Sequence, residues 1–167
     1  MSDMLKLQKK IFAKLAKPTL AAVATVTKDG KPWARYVMVY ADKDLNIAFS
    51  TFKGSRKVSH LRKNSDVHVL CGATTVKGTK AYLQIQGKAR ISTDPKVKRA
   101  HWNPGLKAYF SGPSDPNYVV VLVQPSQIEY QSMKAMGPEV WDAKAAVKAK
   151  KAAAKKPAKK KAAKKRK

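Results

Sequence analysis

One cysteine in 167 residues excludes an internal disulfide. Cys71 falls within the strand-like run VHVLCGA, reads as a small core residue rather than a nucleophile, and fits a reducing compartment. No apolar run approaches the ~18–20 residues a membrane-spanning helix requires. The opening MSDMLKLQKKIFAKL lacks the apolar core and small-residue cleavage site of a secretory signal, so a cytoplasmic location is expected. His60, His68 and His101 share no metal-ligand spacing with one another or with Cys71, and no metal site is expected. Nucleophile motifs of the G-x-S-x-G type are also missing.

Acidic residues are scarce, 10 against 36 Lys and Arg, for a net charge of +26. The scarcity is complete over residues 143–167, AKAAVKAKKAAAKKPAKKKAAKKRK, which hold 13 cations and no acid. Half of the excess charge therefore sits in 25 residues, and +13 remains on the rest. An Ala/Lys segment of this kind has little to bury and repels itself along its length. The expected organisation is a domain over 1–142 followed by a disordered basic tail over 143–167. Without interleaved aromatics to stack on bases, the tail is expected to bind nucleic acid non-specifically through phosphates, which would also allow a nucleoid-associated location.

The body is organised by turn signals. Met4, Leu5, Leu7, Ile11, Phe12 and Leu15 fit one face of a first helix, ended by Pro18. TLAAVATVT and PWARYVMVY are predicted strands joined by KDGK, with Gly30 free to take positive φ. LNIAFST is a third strand, SRKVSHLRKNS a short helix with Val58 and Leu61 inward, and VHVLCGA a fourth strand. After a turn at TTVKGTK, KAYLQIQGKARIS forms a long fifth strand. Asp94 followed by Pro95 predicts a capped helix. NPGLKAYFSGPSDPN is a loop, and YVVVLVQP and QIEYQSM are two further strands. Six or seven antiparallel strands with few helices predict a mainly β fold, a small Greek-key-like barrel or sandwich.

The most informative stretch is FSTFKGSRKV, residues 49–58, where a strand turns into a helix. Unpaired N–H groups at a helix start carry partial positive charge. Ser55 adds a hydroxyl, Arg56 and Lys57 add full charges, and Gly54 permits close approach of another backbone. Together they suit a dianionic phosphate. In this setting FSTFKGSRKVSHLRKNSDV resembles the flavin-binding segment of the pyridoxamine 5′-phosphate oxidase-like family of FMN-binding split barrels. RYVMVY is similar to that family's arginine-bearing strand and QGKARI to its long strand. HWNPGLKAYFSGPSDPNYVVVLVQPSQIEY resembles the general stress protein branch. The resemblance spans about residues 10–131.

The resemblance implies a split barrel binding FMN between the subunits of a homodimer, with oxidoreductase potential. By position, Arg56 and Lys57 would hold the FMN phosphate with Ser55 assisting, and Arg35 would reach toward it. Tyr36, Val37 and Met38 would lie along the flavin ring, and Ser50 and Thr51 along the ribityl chain or ring edge. Tyr82 stands where the oxidases usually carry a glutamine. Trp102 and Phe110 would be contacts from the partner subunit. Two departures argue against pyridoxamine phosphate oxidation: Tyr40 replaces a lysine that helps hold the substrate phosphate, and no R-x-H pair follows His101. The rival readings are a nucleic-acid-associated protein whose barrel is a scaffold or flavin carrier, and a relative that binds a deazaflavin or haem. The electron donor, acceptor and substrate are not encoded in any motif.

Overall fold

The structure, a computed structural model, describes the backbone of residues 2–73, 75 and 77–164, and their side chains through residue 154. Residues 74 and 76 of the expected TTVKGTK turn lie outside it. Helix α1 (Asp3–Leu15) buries Leu7, Ile11 and Leu15, spaced four apart on one face. Strand β1 (Thr19–Val26) alternates, with Ala21, Val23 and Thr25 buried. The turn into β2 (Pro32–Ala41) uses Gly30 at φ 79°. The next turn is built by Asp42, whose carboxylate accepts from Asp44 N (2.8 Å), Asn46 N (2.9 Å) and Asn46 Nδ2 (2.8 Å). These bonds hold fully buried Leu45 at φ 66°, a left-handed conformation uncommon for a branched side chain.

Then come β3 (Ile47–Phe52), α2 (Arg56–Lys63), β4 (Asp66–Cys71) and β5 (Ala81–Ser92). Helix α3 (Pro95–Ala100) is capped as predicted, Asp94 Oδ1 accepting from Lys96 N at 2.7 Å. A 3-10 turn (Pro104–Ala108) leads to β6 (Tyr118–Ser132) and β7 (Glu139–Asp142). The strand order is β3-β2-β1-β4-β5-β6-β7, all antiparallel, and β3 also pairs with β6. That pairing closes six strands into a barrel, with β7 as an extra strand outside the ring. Val23, Val39, Phe49, Val69, Ile85 and Val121 fill the interior. A second cluster lies under α3 and the 3-10 turn, where Phe110, Tyr118 and Val120 meet Trp102 and Leu106.

Two expectations change. YVVVLVQP and QIEYQSM are one continuous strand, β6, because a bulge absorbs the proline: Gln86 pairs with Gln127 and Gly87 with Pro125. Gly87 is the residue this crossing requires, since a Cβ there would lie 2.5 Å from Gln124 O. The segment expected to be a disordered tail begins instead as helix α4 (Ala143–Lys164). Asp142 caps it, its Oδ1 accepting from Ala145 N at 2.8 Å. Ala146 is buried in the main core beside Ala143 and Trp141. Alanine's small side chain lets α4 lie close to α1, an interaction that helical propensity alone would not supply. Of the tail call, the side chains of 155–164 and all of 165–167 lie outside the described residues.

Candidate functional site

β2 and β3 pair only at Tyr40–Ala48 and Ala41–Ile47. Beyond that point β3 runs on against β6, while β2 stays with β1. The two strands therefore part, and among the described residues the stretch of β2 before Tyr40 has no strand partner on that side. Unpaired strand edges carry N–H and C=O groups in search of partners. The split opens a cleft of about 270 Å³, lined by Val37 and Met38 of β2, by Ser50, Thr51 and Phe52 of β3, and by Lys57, with Tyr109 and Phe110 from the segment after the 3-10 turn.

Three cations converge beside it. Arg35 Nη1 donates to Val23 O (3.1 Å) and to Thr25 Oγ1 (2.8 Å), and Thr25 Oγ1 also hydrogen-bonds His60 Nδ1 (2.9 Å) on α2. A second guanidinium nitrogen, Nη2, is buried without a hydrogen-bond partner among the described residues. Burial first, and the neighbouring Arg56 second, hold Arg35 below its usual pKa. Lys57 Nζ donates to Thr51 Oγ1 (3.0 Å), and its pKa is lowered by burial, then by Arg35 and Arg56. The Arg56 guanidinium lies 4.9 Å from the centroid of the Trp33 ring. None of the three takes part in an ion pair among the described residues. Like charges gathered this closely are unfavourable until an anion joins them.

The start of α2 is also open. Ser55 occupies the N-cap position with extended φ −70° and ψ 150°, yet its side chain caps no backbone N–H. Its hydroxyl lies 3.4 Å from Thr51 Oγ1. Hydroxyl, helix start and three cations suit a dianionic phosphate better than any neutral group. Gly54 has nothing within 4 Å of where a Cβ would sit, so the chain itself does not use the close approach expected there.

Of the twelve predicted site residues, all but Trp102 fall into two sets. Arg35, Val37, Met38, Ser50, Thr51, Ser55, Arg56, Lys57 and Phe110 gather at the split. Tyr36 and Tyr82 are turned outward: Tyr36 is exposed on the outer face of β2, and Tyr82 lies on that of β5, paired with Gln131. Phe110 is buried against Phe52 (centroids 4.6 Å apart) and lines the cleft of its own chain. Trp102 packs edge-on against Tyr118 at 5.5 Å.

The sequence reading missed one pair at the edge of the cleft, Tyr40 lining it and His101 lining the groove next to it. The Tyr40 hydroxyl and His101 Nδ1 form a 2.5 Å hydrogen bond across 61 positions. Burial pushes the Tyr40 phenol up to about 12 and pulls the His101 imidazole down, with Asp42 opposing the latter. Tyr40 also lines the neighbouring groove that holds Asp42, Lys88 and Arg90, so it forms the wall between two cavities. The available signal is Tyr40's place at the end of the RYVMVY strand, where the family resemblance implies a lysine.

This split barrel, with a cationic strand-to-helix turn beside the split, defines a recognisable class. The chain belongs to the pyridoxamine 5′-phosphate oxidase family, whose model matches residues 7–132. It is 32% identical to general stress protein 26 of Bacillus subtilis (strain 168) over 122 residues, covering 73% of this chain and 86% of that protein. It is 37% identical over 93 residues to the pyridoxine/pyridoxamine 5′-phosphate oxidase of Cronobacter sakazakii, covering 55% of this chain but only 41% of the oxidase. The crystal structure of general stress protein 26 from Bacillus anthracis str. Sterne superposes with a TM-score of 0.70 at 29% identity, covering 81% of this chain and 98% of that one.

Proposed function

We propose that this chain is an FMN-binding flavoprotein with oxidoreductase chemistry, that it works as a homodimer, and that it does not oxidise pyridoxamine phosphate. The observation that carries this reading is the buried, unpartnered Arg35 Nη2 beside Arg56 and Lys57. Arg35, Arg56 and Lys57 hold the phosphate, with the Ser55 hydroxyl and the start of α2 completing its shell. The free edge of β2 at Val37 and Met38 offers backbone groups to the polar side of the ring, and Ser50 and Thr51 offer hydroxyls to the ribityl chain. FMN, when bound, supplies the ring that accepts and releases electrons; the protein orients it and keeps the surrounding field positive. At Tyr40 the cleft presents a neutral phenol where the oxidases have a lysine, so a phosphorylated substrate loses a counter-charge there.

The single-chain cleft, about 270 Å³, falls just below the usual range of roughly 300–1,000 Å³ for ligand pockets. A second copy would enlarge it, and the outward Tyr36 and Tyr82 would then touch the flavin of the other subunit. The test is the absorbance spectrum of the purified protein, followed by mass measurement of whatever heat or acid releases. Flavin bands and a released species with the mass of FMN support the reading. A released deazaflavin or haem, or a folded protein that takes up no FMN, would overturn it.

A further inference from the structure

Tyr40 and His101 stand where two cavities meet. Tyr40 lines both the cleft at the split and the groove beside it, about 610 Å³, while His101 lines the groove. Two distant segments set the pair. Tyr40 is fixed on β2 by its pairing with Ala48 of β3, and its ring packs against the second cluster. His101 ends α3, where its backbone N–H donates to Val97 O at 3.0 Å. The hydroxyl and Nδ1 then meet at 2.5 Å, with ring centroids 5.7 Å apart. Burial raises the phenol and lowers the imidazole, and this decides the direction of the bond. At neutral pH the phenol keeps its proton and the imidazole holds only one, so the hydroxyl donates to Nδ1 and the ring proton of His101 sits on Nε2. The other titratable groups lining the cleft are placed differently: Lys57 donates to Thr51 Oγ1, and Tyr109 is 66% exposed. The charged groups that share the groove with His101 are Asp42, Lys88 and Arg90. Asp42 is held in its turn by Asp44 N, Asn46 N and Asn46 Nδ2, and Lys88 by Asp66 at 2.6 Å. On α3 itself, Lys98 Nζ donates to Asp115 O at 2.7 Å. Of these side-chain types, imidazole is the one that titrates nearest neutrality.

We propose that Tyr40 and His101 form a two-way proton relay between the groove and the cleft. The relay rests on the proposed FMN binding. When a flavin oxidises a substrate, a hydride passes to the ring with both electrons, and the substrate's second proton is set free. That proton goes to Tyr40 Oη as Tyr40's own proton passes to His101 Nδ1, and the Nε2 proton leaves to solvent in the groove. The phenol is restored, and His101 is left neutral with its proton on Nδ1. Returning the electrons to a two-electron acceptor, such as a quinone, delivers the hydride and requires one further proton. Tyr40 now gives its proton into the cleft, the Nδ1 proton refills the phenol, and Nε2 takes a proton from the groove. The pair ends as it began. Over the two half-reactions one proton leaves and one enters, and two electrons pass from substrate to acceptor. Each neutral tautomer of His101 serves one direction, so the cycle closes without the ring turning over.

The experiment uses the full chain loaded with FMN and two variants. Tyr40→Phe removes the hydroxyl of the relay. His101→Gln keeps an acceptor for that hydroxyl but cannot carry a proton. Thermal melting confirms that each is folded, and the FMN held by each is measured. One readout needs no turnover: imidazole nitrogen NMR should show wild-type His101 protonated at Nε2 and unprotonated at Nδ1, and Tyr40→Phe should shift the Nδ1 resonance. The other is reoxidation of photoreduced FMN by p-benzoquinone in stopped flow. Positioned acid–base groups contribute about 10²–10⁴-fold, so both variants should be slower by about tenfold or more. The wild-type rate should fall as pH rises through the His101 ionisation, which lies below the ordinary 6.5, and His101→Gln should lose that dependence. The relay is overturned if the Nδ1 resonance is indifferent to Tyr40→Phe, or if both variants reoxidise at the wild-type rate with the wild-type pH profile. Variants that hold FMN normally and leave the kinetics unchanged overturn the relay alone. A folded protein that takes up no FMN overturns the flavin reading, and the relay with it.

Discussion

A guanidinium clamped through Nη1 by Val23 O and Thr25 Oγ1, with Nη2 buried and without a partner among the described residues, is costly unless an anion completes it. Arg56 is the exposed member of the cationic trio and can be removed with least disturbance to packing. A charge-assisted hydrogen bond contributes roughly 1.5–3 kcal/mol, so Arg56→Ala should weaken FMN by about 10–150-fold in a fluorescence titration. Riboflavin, lacking the phosphate, should lose little. Equal losses for the two ligands would put the phosphate elsewhere. Tyr40 offers a second test at this scale. Its folded pKa is raised to about 12, chiefly by burial and then by Tyr118, against an ordinary value of 10. The unfolded chain therefore gives up this proton first. The stabilisation is complete below about pH 10 and is lost as pH rises through 12. Alkaline titration followed by tyrosinate absorbance should show a late phase from Tyr40 and Tyr118, whose pKa burial also raises. Tyr40→Phe should remove part of that phase. An undiminished late phase would show that the Tyr40 phenol is not the buried group.

At the scale of the elements, the crossing of β5 and β6 leaves no room for a side chain at Gly87. A Cβ on Gly87 would stand 2.5 Å from Gln124 O and 3.0 Å from Pro125 Cα, both backbone atoms that cannot swing aside. Gly87→Ala should cost about 1–3 kcal/mol in denaturant unfolding, the usual penalty for overpacking. Gly54→Ala, with open space around it, should stay within about ±0.5 kcal/mol. A fall in FMN affinity with Gly54→Ala, at unchanged stability, would show that a ligand or partner comes close there. These two glycines mark what the sequence could and could not convey. Local signals were legible: Gly30 at its turn, the Asp94–Pro95 cap, and the GSRK step from strand to helix. Interactions between distant segments were not. Pro125 looked like a strand end because the bulge that accommodates it depends on Gly87, far back in the chain. β7 is four residues long and too short to show a period. The alanine stripe of α4 carries no hydrophobic contrast until α1 is there to receive it. The Tyr40–His101 pair likewise exists only once α3 folds onto the barrel.

At the scale of the whole molecule, the outer face of β2, β1 and β4 presents Leu20 (49% exposed), Tyr36 (74%), Met38 (51%) and Leu70 (43%). They are neighbours by register: Leu20 opposes Met38, and Ala22 opposes Tyr36 on one side and Leu70 on the other. Alanines between the large side chains make this face shallow enough for a second copy to approach, and it adjoins the cleft that the second copy would complete. Apolar burial favours that association, while two chains of +26 each oppose it. Salt shortens the reach of the repulsion, to about 8 Å at 0.15 M, and leaves the apolar contribution in place. Dimerisation should therefore tighten as salt rises. Sedimentation should report about twice 18.4 kDa. Leu70→Asp, which sets an unpaired carboxylate on each side of the contact, should shift the protein toward monomer without unfolding it, since Leu70 is not part of the core. FMN content should fall with the dimer. A stable Leu70→Asp monomer that keeps one FMN per chain would show that each cleft is complete by itself.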